Sequence, residues 1–256
     1  MLTIDEERCR PEDSAAMTPA AARGEPESAC LTRKRLWVVI AAYNEEQRIG
    51  RVLKDLIPVA ENVVVVDDAS RDETCGVVSR YPVWLLQHAC NLGQGAALQT
   101  GIRFALDQGA QYVATFDADG QHAVMDLEKM LAALIGSAAD FALGSRFLGR
   151  ADGIPFSRKI LLKLAVLFTK LISGVSLSDV HNGIRVMTRR GAEQLRITLN
   201  RMEHASQVIE QISASGLRYV EVPVTVRYTA ETLRKGQRTT AAVKLGLKLL
   251  LEKALG

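Results

Sequence analysis

Residues 112–122 read YVATFDADGQH. The first half of this stretch is rich in β-branched and aromatic residues, which is typical of a buried strand. Asp117 and Asp119 follow at the carboxyl end of that strand, where ligands of open α/β sheets bind. Carboxylate oxygens, substrate phosphates and water are the ligands that Mg²⁺ and Mn²⁺ prefer. Taken alone, the stretch is equally compatible with a metal-bound diphosphate and with an Asp-Gly turn that closes a strand.

Length, charge and cysteine content narrow the class of protein. The 256 residues suffice for one sizeable core. The net charge of +3 is too small to indicate nucleic acid, so no nucleic-acid partner is predicted. The four cysteines (Cys9, Cys30, Cys75 and Cys90) form no Cys-x-x-Cys pair. We therefore expect reduced thiols in a cytosolic protein.

The two ends of the chain differ from its middle. Residues 1–32 contain almost no large apolar side chains, so we predict a disordered tail that is not a signal peptide. Residues 33–238 are predicted to form one α/β domain, and residues 239–256 a C-terminal amphipathic helix. No uncharged apolar run reaches the length of a membrane span, and none is predicted.

Strand and helix patterns alternate through the first half of the domain. The predicted strands are Leu36–Ala41, Asn62–Asp67, Val83–His88, Tyr112–Asp117 and Phe141–Leu143. The predicted helices between them are Glu45–Leu56, Asp72–Ser79, Gln94–Asp107 and Met125–Ile135. Strands separated by helices of this length pair in parallel, and helices cover both faces of their sheet. The fold class is therefore α/β, with a Rossmann-like, mostly parallel sheet.

The alternation changes after Gly144, where we predict a C-terminal helical elaboration without a separate linker. The predicted helices are Ser157–Ser173, Arg190–Leu195, Ala205–Ser213 and Thr240–Leu255. A short strand is predicted near Ile184–Met187, and Pro223 is predicted to split Leu217–Tyr228 into two strands.

Three further strand ends carry polar side chains that should meet at one edge of the sheet. Tyr43 and Glu45 follow the first strand, and Asp67 ends the second. A carboxylate at a buried strand end needs a hydrogen-bond donor, which a nucleobase imide or ribose hydroxyls would supply. Gly93 and Gly95 precede a helix and suit close approach to an anion. They follow the third strand rather than the first, so a dinucleotide fingerprint and a Rossmann oxidoreductase are disfavoured.

Five segments together resemble the family-2 glycosyltransferases of GT-A fold. They are VVIAAYNEE (38–46), VDDASRDET (66–74), NLGQGAA (91–97), FDADGQH (116–122) and GSRF (144–147). Their order and spacing make the resemblance specific, although Ala41 stands where the family often has proline. The resemblance implies a nucleotide-diphosphate sugar as the donor and Mg²⁺ or Mn²⁺ as the cofactor.

The resemblance also implies roles for individual residues. Those expected to bind the nucleotide are Ala42, Tyr43, Glu45, Asp67, Asp68, Asn91, Gly95 and Asp117. Asp117, Asp119 and Gln121 are expected to face the metal. Asp119, Asp179 and Arg146 are the expected catalytic residues, with Asp179 as a base or an orienting group.

Within the family, the chain resembles the dolichyl-phosphate mannosyltransferase and polyprenyl-phosphate glycosyltransferase branch. The resemblance lies in GSR (144–146), the basic helix 157–173, DVHNGIR (179–185), EVPV (221–224) and RKGQ (234–237). It implies an inverting, metal-dependent transfer to a dolichyl or undecaprenyl phosphate. A phosphate monoester has a second pKa of about 6, so it needs cations to position it rather than a base. The candidates for that role are Arg146, Arg158, Arg185, Arg234 and Lys235.

Two alternatives remain open at this point. The acceptor could be a sugar hydroxyl in cell-surface polysaccharide synthesis, or the chain could be a non-catalytic nucleotide-sugar sensor. The lysine-bearing apolar helix 157–173 suggests a peripheral location at the inner, cytoplasmic face of a membrane. Packing against a partner subunit or a small membrane protein would explain the same composition.

Overall fold

The computed structural model describes residues 35–160, 162–163, 166, 177–180, 182–200 and 203–228. The strands within these residues are β1 (Leu36–Ala42), β2 (Asn62–Asp67), β3 (Trp84–Gln87), β4 (Tyr112–Asp117), β5 (Phe141–Asp152), β6 (Arg185–Thr188) and β7 (Tyr219–Arg227). The helices are α1 (Ile49–Leu56), α2 (Thr74–Val78), α3 (Gln94–Asp107), α4 (Asp126–Gly136), α5 (Arg189–Gln194) and α6 (His204–Ala214). Residues 156–160, 162–163 and 166 are also helical, so the helix begins one residue before the predicted helix Ser157–Ser173.

The seven strands form one sheet in the order β3-β2-β1-β4-β6-β5-β7. β1, β2, β3 and β4 pair in parallel, and β7 is parallel to β5. β6 runs antiparallel to both of its neighbours. The mostly parallel α/β sheet predicted from the sequence is therefore confirmed. Because β1 to β4 are parallel, their carboxyl ends all lie on the same side of the sheet.

The core lies in two layers, one on each face of the sheet. Val38 and Ile40 pack with α1, α2 and α4 on one face, whereas Val39 packs with α3, α5 and α6 on the other. This alternation follows from strand geometry, because successive side chains point to opposite faces. A strand buried on both faces must be apolar throughout, which explains the run Val63–Val66.

Two predictions about the second half of the sheet are wrong. β7 is continuous through Pro223, because it is the last strand of the sheet and an edge strand tolerates a residue without an N–H group. β5 extends well past its predicted end at Leu143. Its pairing with β7 is irregular between Ser145 and Arg150 and then resumes. The polar sequence of this extension has no strand pattern of its own. It is a strand because it pairs with β7, which comes from far along the chain.

Several predicted features lie outside the described residues. They are the disordered tail 1–32, the C-terminal helix, the remainder of helix 157–173, and the candidates Arg234 and Lys235. Across the described part of the chain, every helix is too short or too polar to cross a membrane.

Candidate active site

A cavity of about 500 Å³ opens at the carboxyl ends of β1, β2 and β4. Most of the predicted site residues line it: Ala42, Tyr43, Glu45, Asp68, Asn91, Asp117, Asp119, Gln121, Arg146, Arg158 and Arg185. Asp67, Gly95 and Asp179 are not among the lining residues. The topology therefore brings together carboxylates from the first half of the chain and arginines from the second.

Reciprocal hydrogen bonds hold together the loops that follow β1 and β2. The backbone amides of Asn44, Glu45 and Glu46 donate to the side chains of Ser70, Thr74 and Asp72, respectively. In return, the amide of Arg71 donates to Asn44 Oδ1 at 2.8 Å. Much of the motif YNEE and of the motif DDASRDET therefore holds these two loops together. The residues of the first loop that line the cavity are Tyr43, Glu45 and Arg48.

Asp67 lies at the end of β2 and is buried. Its Oδ2 accepts a hydrogen bond from the amide of Ser70 at 3.0 Å, while its Oδ1 has no partner among the described residues. A buried carboxylate oxygen without a donor is costly. Asp67 does not line the cavity, so nucleotide binding by this residue stays a prediction.

The glycines at the start of α3 serve a purpose that the sequence did not indicate: Gly93 immediately precedes the helix, and Gly95 lies in its first turn. The amide of Gly95 donates to Asn200 O at 2.8 Å, and a Cβ on Gly95 would lie 2.1 Å from Leu199 O. The close backbone approach predicted at Gly95 is therefore to another loop of the same chain. Nucleotide binding by Gly95 stays a prediction that this geometry does not support.

Asp117 and Asp119 lie in different electrostatic surroundings. Burial acts to raise the pKa of Asp117, but a 2.9 Å hydrogen bond from His122 and the charge of that ring outweigh it. The charges of Arg185 and His204 add to this effect, so the pKa of Asp117 lies below its ordinary value. For Asp119, burial and then the charge of Asp117 raise the pKa to about 6.

These two acids fit a hard divalent cation. Asp119 carries a carboxylate whose ionisation is disfavoured by burial and by its neighbour, and a cation would relieve both effects. Among the described residues, no group of three or more His, Cys, Asp or Glu side chains could hold a metal by itself. The protein would therefore supply only part of the coordination shell. Mg²⁺ and Mn²⁺ are often bound in this way, with substrate phosphates and water completing the shell.

The basic side of the cavity is built around Arg146. Its Nε donates to Asp179 Oδ2 at 2.6 Å, its backbone amide donates to the same oxygen at 3.0 Å, and its Nη1 donates to the hydroxyl of Tyr228. The guanidinium of Arg158 lies 5.2 Å from the centroid of the Tyr228 ring. Asp179 is thus placed to orient Arg146, so the geometry supports the orienting role that the sequence left open.

Arg185, at the start of β6, is buried in the same wall. Burial lowers the pKa of Arg185, while the charges of Asp117 and Asp179 oppose that shift. An arginine remains protonated under these conditions. Its guanidinium makes no hydrogen bond to another described residue, so it can present donors to an anionic ligand.

Sequence reasoning missed several residues of the cavity wall: Arg48, Gln94, His122, Asn182, Gly183 and His204. Arg48 forms an ion pair with Glu45, 3.0 Å apart, and the spacing of three residues could have indicated it. His122 belongs to the motif FDADGQH, but its bond to Asp117 depends on how the chain turns after β4. The remaining contacts come from distant parts of the chain and leave no local signal.

Comparison with known proteins gives a consistent result. Residues 37–196 match the model of the family "Glycosyl transferase family 2". A UDP-N-acetylglucosamine–dolichyl-phosphate N-acetylglucosaminyltransferase of Methanococcus voltae is 28% identical, covering 87% of this chain and 98% of that protein. An undecaprenyl-phosphate mannosyltransferase of Micrococcus luteus is 31% identical, covering 75% and 83% of the two chains.

Solved structures show the same fold. Glucosyl-3-phosphoglycerate synthase from Mycobacterium tuberculosis, in complex with Mn²⁺, uridine-diphosphate-glucose and phosphoglyceric acid, superposes with a TM-score of 0.62. The superposition covers 87% of this chain and 82% of that one, at 17% identity. At this identity the likeness concerns the fold alone, and it confirms the GT-A architecture predicted from the sequence.

Proposed function

The chain belongs to glycosyl transferase family 2, and on that premise we propose that it transfers a sugar from a nucleotide-diphosphate sugar to a polyprenyl phosphate. The reaction would require a divalent cation and would invert the anomeric carbon. One observation carries the proposal: the carboxylates Asp117 and Asp119 and the arginines Arg158 and Arg185 line a single cavity. Such a cavity has one side suited to a cation-bound diphosphate and another suited to a free phosphate.

The donor side rests on the strand ends of β1, β2 and β4. Tyr43 and Glu45 line the cavity beside Asp117 and Asp119. At the end of the neighbouring strand β2, Asp67 Oδ1 has no partner among the described residues. A bound Mg²⁺ or Mn²⁺ would act as a Lewis acid and neutralise the charge that develops on the leaving nucleotide diphosphate. The protein contributes by holding the two carboxylates in place, with His122 keeping Asp117 ionised and oriented.

The acceptor side rests on arginines. A phosphate monoester is already largely ionised near neutrality, so its oxygen can attack the anomeric carbon without a general base. Arg185 is buried and its guanidinium forms no hydrogen bond with another residue that the structure describes, and Arg158 lines the same cavity. Asp179 then acts by orienting Arg146 rather than by accepting a proton. The M. voltae and M. luteus relatives, whose names give dolichyl and undecaprenyl phosphate as acceptors, support this assignment.

A polyprenyl acceptor also requires access to a membrane. The start of the helix at residues 156–160 exposes 77% of Phe156 and 44% of Ile160, with Arg158 and Lys159 between them. Apolar side chains interleaved with basic ones suit the headgroup layer of an anionic membrane. We therefore place the protein at the cytoplasmic face of a membrane, as a peripheral protein next to its lipid acceptor.

An acceptor assay tests the proposal. The native chain is incubated with radiolabelled uridine- or guanosine-diphosphate sugars, Mn²⁺, and either undecaprenyl phosphate, dolichyl phosphate or a soluble oligosaccharide. We expect label in the organic phase. Mild acid should release it, because the linkage between a sugar and a polyprenyl phosphate is acid-labile. Label entering only the oligosaccharide would support the hydroxyl-acceptor alternative. No transfer with any donor would overturn the proposal.

A further inference from the structure

The side chain of Glu221, on β7 in the motif EVPV, is bonded to one residue of a distant segment. Its Oε1 accepts hydrogen bonds from the backbone amide and from the hydroxyl of Ser178, at 2.8 and 2.6 Å. Its Oε2 accepts a longer bond from the same amide at 3.1 Å. Ser178 directly precedes Asp179, the carboxylate that orients Arg146. Neither Glu221 nor Ser178 lines the cavity, so any effect that they have on the site passes through other residues.

The hydroxyl of Ser178 continues this contact to a second serine. Ser178 Oγ lies 2.6 Å from the Oγ of Ser145, which is fully buried. An ionised carboxylate only accepts hydrogen bonds, so the Ser178 hydroxyl donates to Glu221 and accepts from Ser145. The Ser145 oxygen in turn accepts a hydrogen bond from the amide of Leu148 at 3.2 Å. These groups form one polarised chain of hydrogen bonds that ends on the carboxylate of Glu221.

The chain of hydrogen bonds reaches the irregular stretch of β5 that carries Arg146. The pairing of β5 with β7 is interrupted between Ser145 and Arg150, and Arg146 lines the cavity. An irregularity of this kind beside a binding site re-aims side chains that a regular strand would direct elsewhere. The bond from Leu148 to Ser145 holds this stretch, while Ser178 holds the segment of Asp179. One network therefore fixes both the backbone of Arg146 and the carboxylate to which its guanidinium is bonded.

We propose that Glu221 is a positioning residue of the acceptor subsite, which fixes the orientation of Arg146 through Ser178 and Ser145. It does so without touching a substrate. The ligand of that subsite, the phosphate of the acceptor, rests on the function proposed above. The network itself rests only on contacts within the chain. The alternative, a residue that merely stabilises the edge of the sheet, predicts a different result in the experiment below.

Amide hydrogen exchange tests the network without any ligand. Glu221→Ala should speed exchange at Ser178, and also at Arg146 and Leu148, at least about tenfold. The last two amides are not bonded to Glu221, so faster exchange there reports transmission along the network. Glu221→Gln should stay near the native rates, because its amide oxygen can still accept both bonds from Ser178. Glu61→Ala is the matched control, since Glu61 is exposed before β2 and should change nothing.

Kinetics separate positioning from general damage. In Glu221→Ala, the KM for a short-chain, water-soluble prenyl phosphate should rise about tenfold, and Glu221→Gln should restore it to within about twofold. The Kd of uridine or guanosine diphosphate with Mn²⁺, whichever the native chain binds, should stay within about twofold in both variants. Ser178→Ala removes the hydroxyl link and keeps the backbone amide, and it should show the same division between acceptor KM and nucleotide Kd.

Several outcomes would overturn the role of Glu221. They are faster exchange confined to Ser178, an unchanged acceptor KM in Glu221→Ala, and no recovery in Glu221→Gln. Faster exchange throughout β5 and β7, together with weaker nucleotide binding, would assign Glu221 to the stability of the sheet instead. If Glu221→Ala does not fold, Ser178→Ala decides on the same criteria. Failure of the native chain to transfer sugar to any prenyl phosphate would overturn the proposed function, while the exchange rates would still decide the network.

Discussion

The carboxylate of Asp117 occupies the space that a side chain at position 183 would need. A Cβ added to Gly183 would lie 2.1 Å from Asp117 Oδ2 and 2.4 Å from Oδ1. The hydroxyl of Thr115 also donates to Gly183 O at 2.7 Å, which holds the backbone of this segment against the end of β4. The glycine in DVHNGIR therefore lets the segment before β6 pack directly against the end of β4.

Gly183→Ala should displace the Asp117 carboxylate and abolish most activity. The added methyl group cannot fit without moving either the carboxylate or the backbone that Thr115 holds. Because small misplacements at a reacting centre cost about 100-fold, we expect turnover to fall by about that factor. Gly136→Ala is the matched control, since a Cβ there meets no atom within 4 Å. Equal activity of the two variants in the transfer assay would contradict this account of Gly183.

Asp119→Asn should lose cation-dependent nucleotide binding and yet stabilise the cation-free protein. The pKa of Asp119, about 6, lies above its ordinary value of 3.8, so the ionised carboxylate destabilises the folded state at neutral pH. A neutral amide removes that cost. We expect Tm without metal to rise by about 2–4 °C at pH 7.5, and the further rise that Mn²⁺ and nucleotide give the native chain to disappear. Thermal-shift curves with and without Mn²⁺ check both effects, and retention of the Mn²⁺ response would contradict the assignment.

Cation affinity should fall as the pH drops through about 6. A carboxylate binds metal in its ionised form, so protons compete with the cation once the pH is below the pKa of Asp119. For a single competing proton, the apparent Kd of Mn²⁺ in the presence of nucleotide should rise about tenfold between pH 7 and pH 5. Titration calorimetry at several pH values measures this slope. A slope that persists unchanged in Asp119→Asn would assign the titration to another group.

The stability of the metal-free protein should follow the opposite trend. Because the folded state binds this proton more tightly than the unfolded chain, the contribution of Asp119 to stability increases as the pH falls from about 6 towards 4. The two trends therefore have opposite signs, which separates loss of cation binding from acid unfolding.

Local sequence patterns predicted the first half of the fold well, for a physical reason. The predicted bounds of β2, β4 and α3 match the structure. In each of these elements the periodic pattern of apolar residues stops where polar residues begin, so the sequence marks the ends of the element. The second half depends on distant pairings. β5 extends along β7 through residues that carry no strand pattern, and Pro223 is tolerated only because β7 lies at an edge.

The candidate site divides in the same way. The strand-end positions of Asp117 and Asp119 followed from the topology of a parallel sheet, so their convergence with Tyr43 and Glu45 could be predicted. The role of Gly95 could not be predicted, because its hydrogen bond is with Asn200, far along the chain. Whether a polar residue touches a ligand or supports a loop depends on such tertiary partners.

Tyr228→Phe should weaken the acceptor interaction and leave the donor interaction unchanged. The hydroxyl of Tyr228 accepts a hydrogen bond from the buried guanidinium of Arg146, and its ring packs against Arg158. Phenylalanine keeps the ring and removes only the bond to Arg146. Losing a hydrogen bond to a charged group should raise the acceptor KM about tenfold. Tyr219→Phe, at the exposed start of β7, is the control, and a rise in the donor KM of Tyr228→Phe would contradict the role.

Replacing Phe156 and Ile160 by serine should weaken binding to anionic vesicles. These side chains are 77% and 44% exposed, and burying each in a membrane interface would contribute about 1.5–3 kcal/mol. The double variant should therefore partition onto phosphatidylglycerol vesicles at least about tenfold less than the native chain, as measured by co-sedimentation at low salt. Ile135→Ser is the matched control, because Ile135 is 47% exposed near the end of α4. This helix runs back from the cavity towards the amino ends of the parallel strands. If the double variant and the control bind equally, the membrane contact lies elsewhere on the chain. If the double variant loses vesicle binding but keeps its KM for a short-chain, water-soluble prenyl phosphate, the patch serves membrane attachment and not the chemistry.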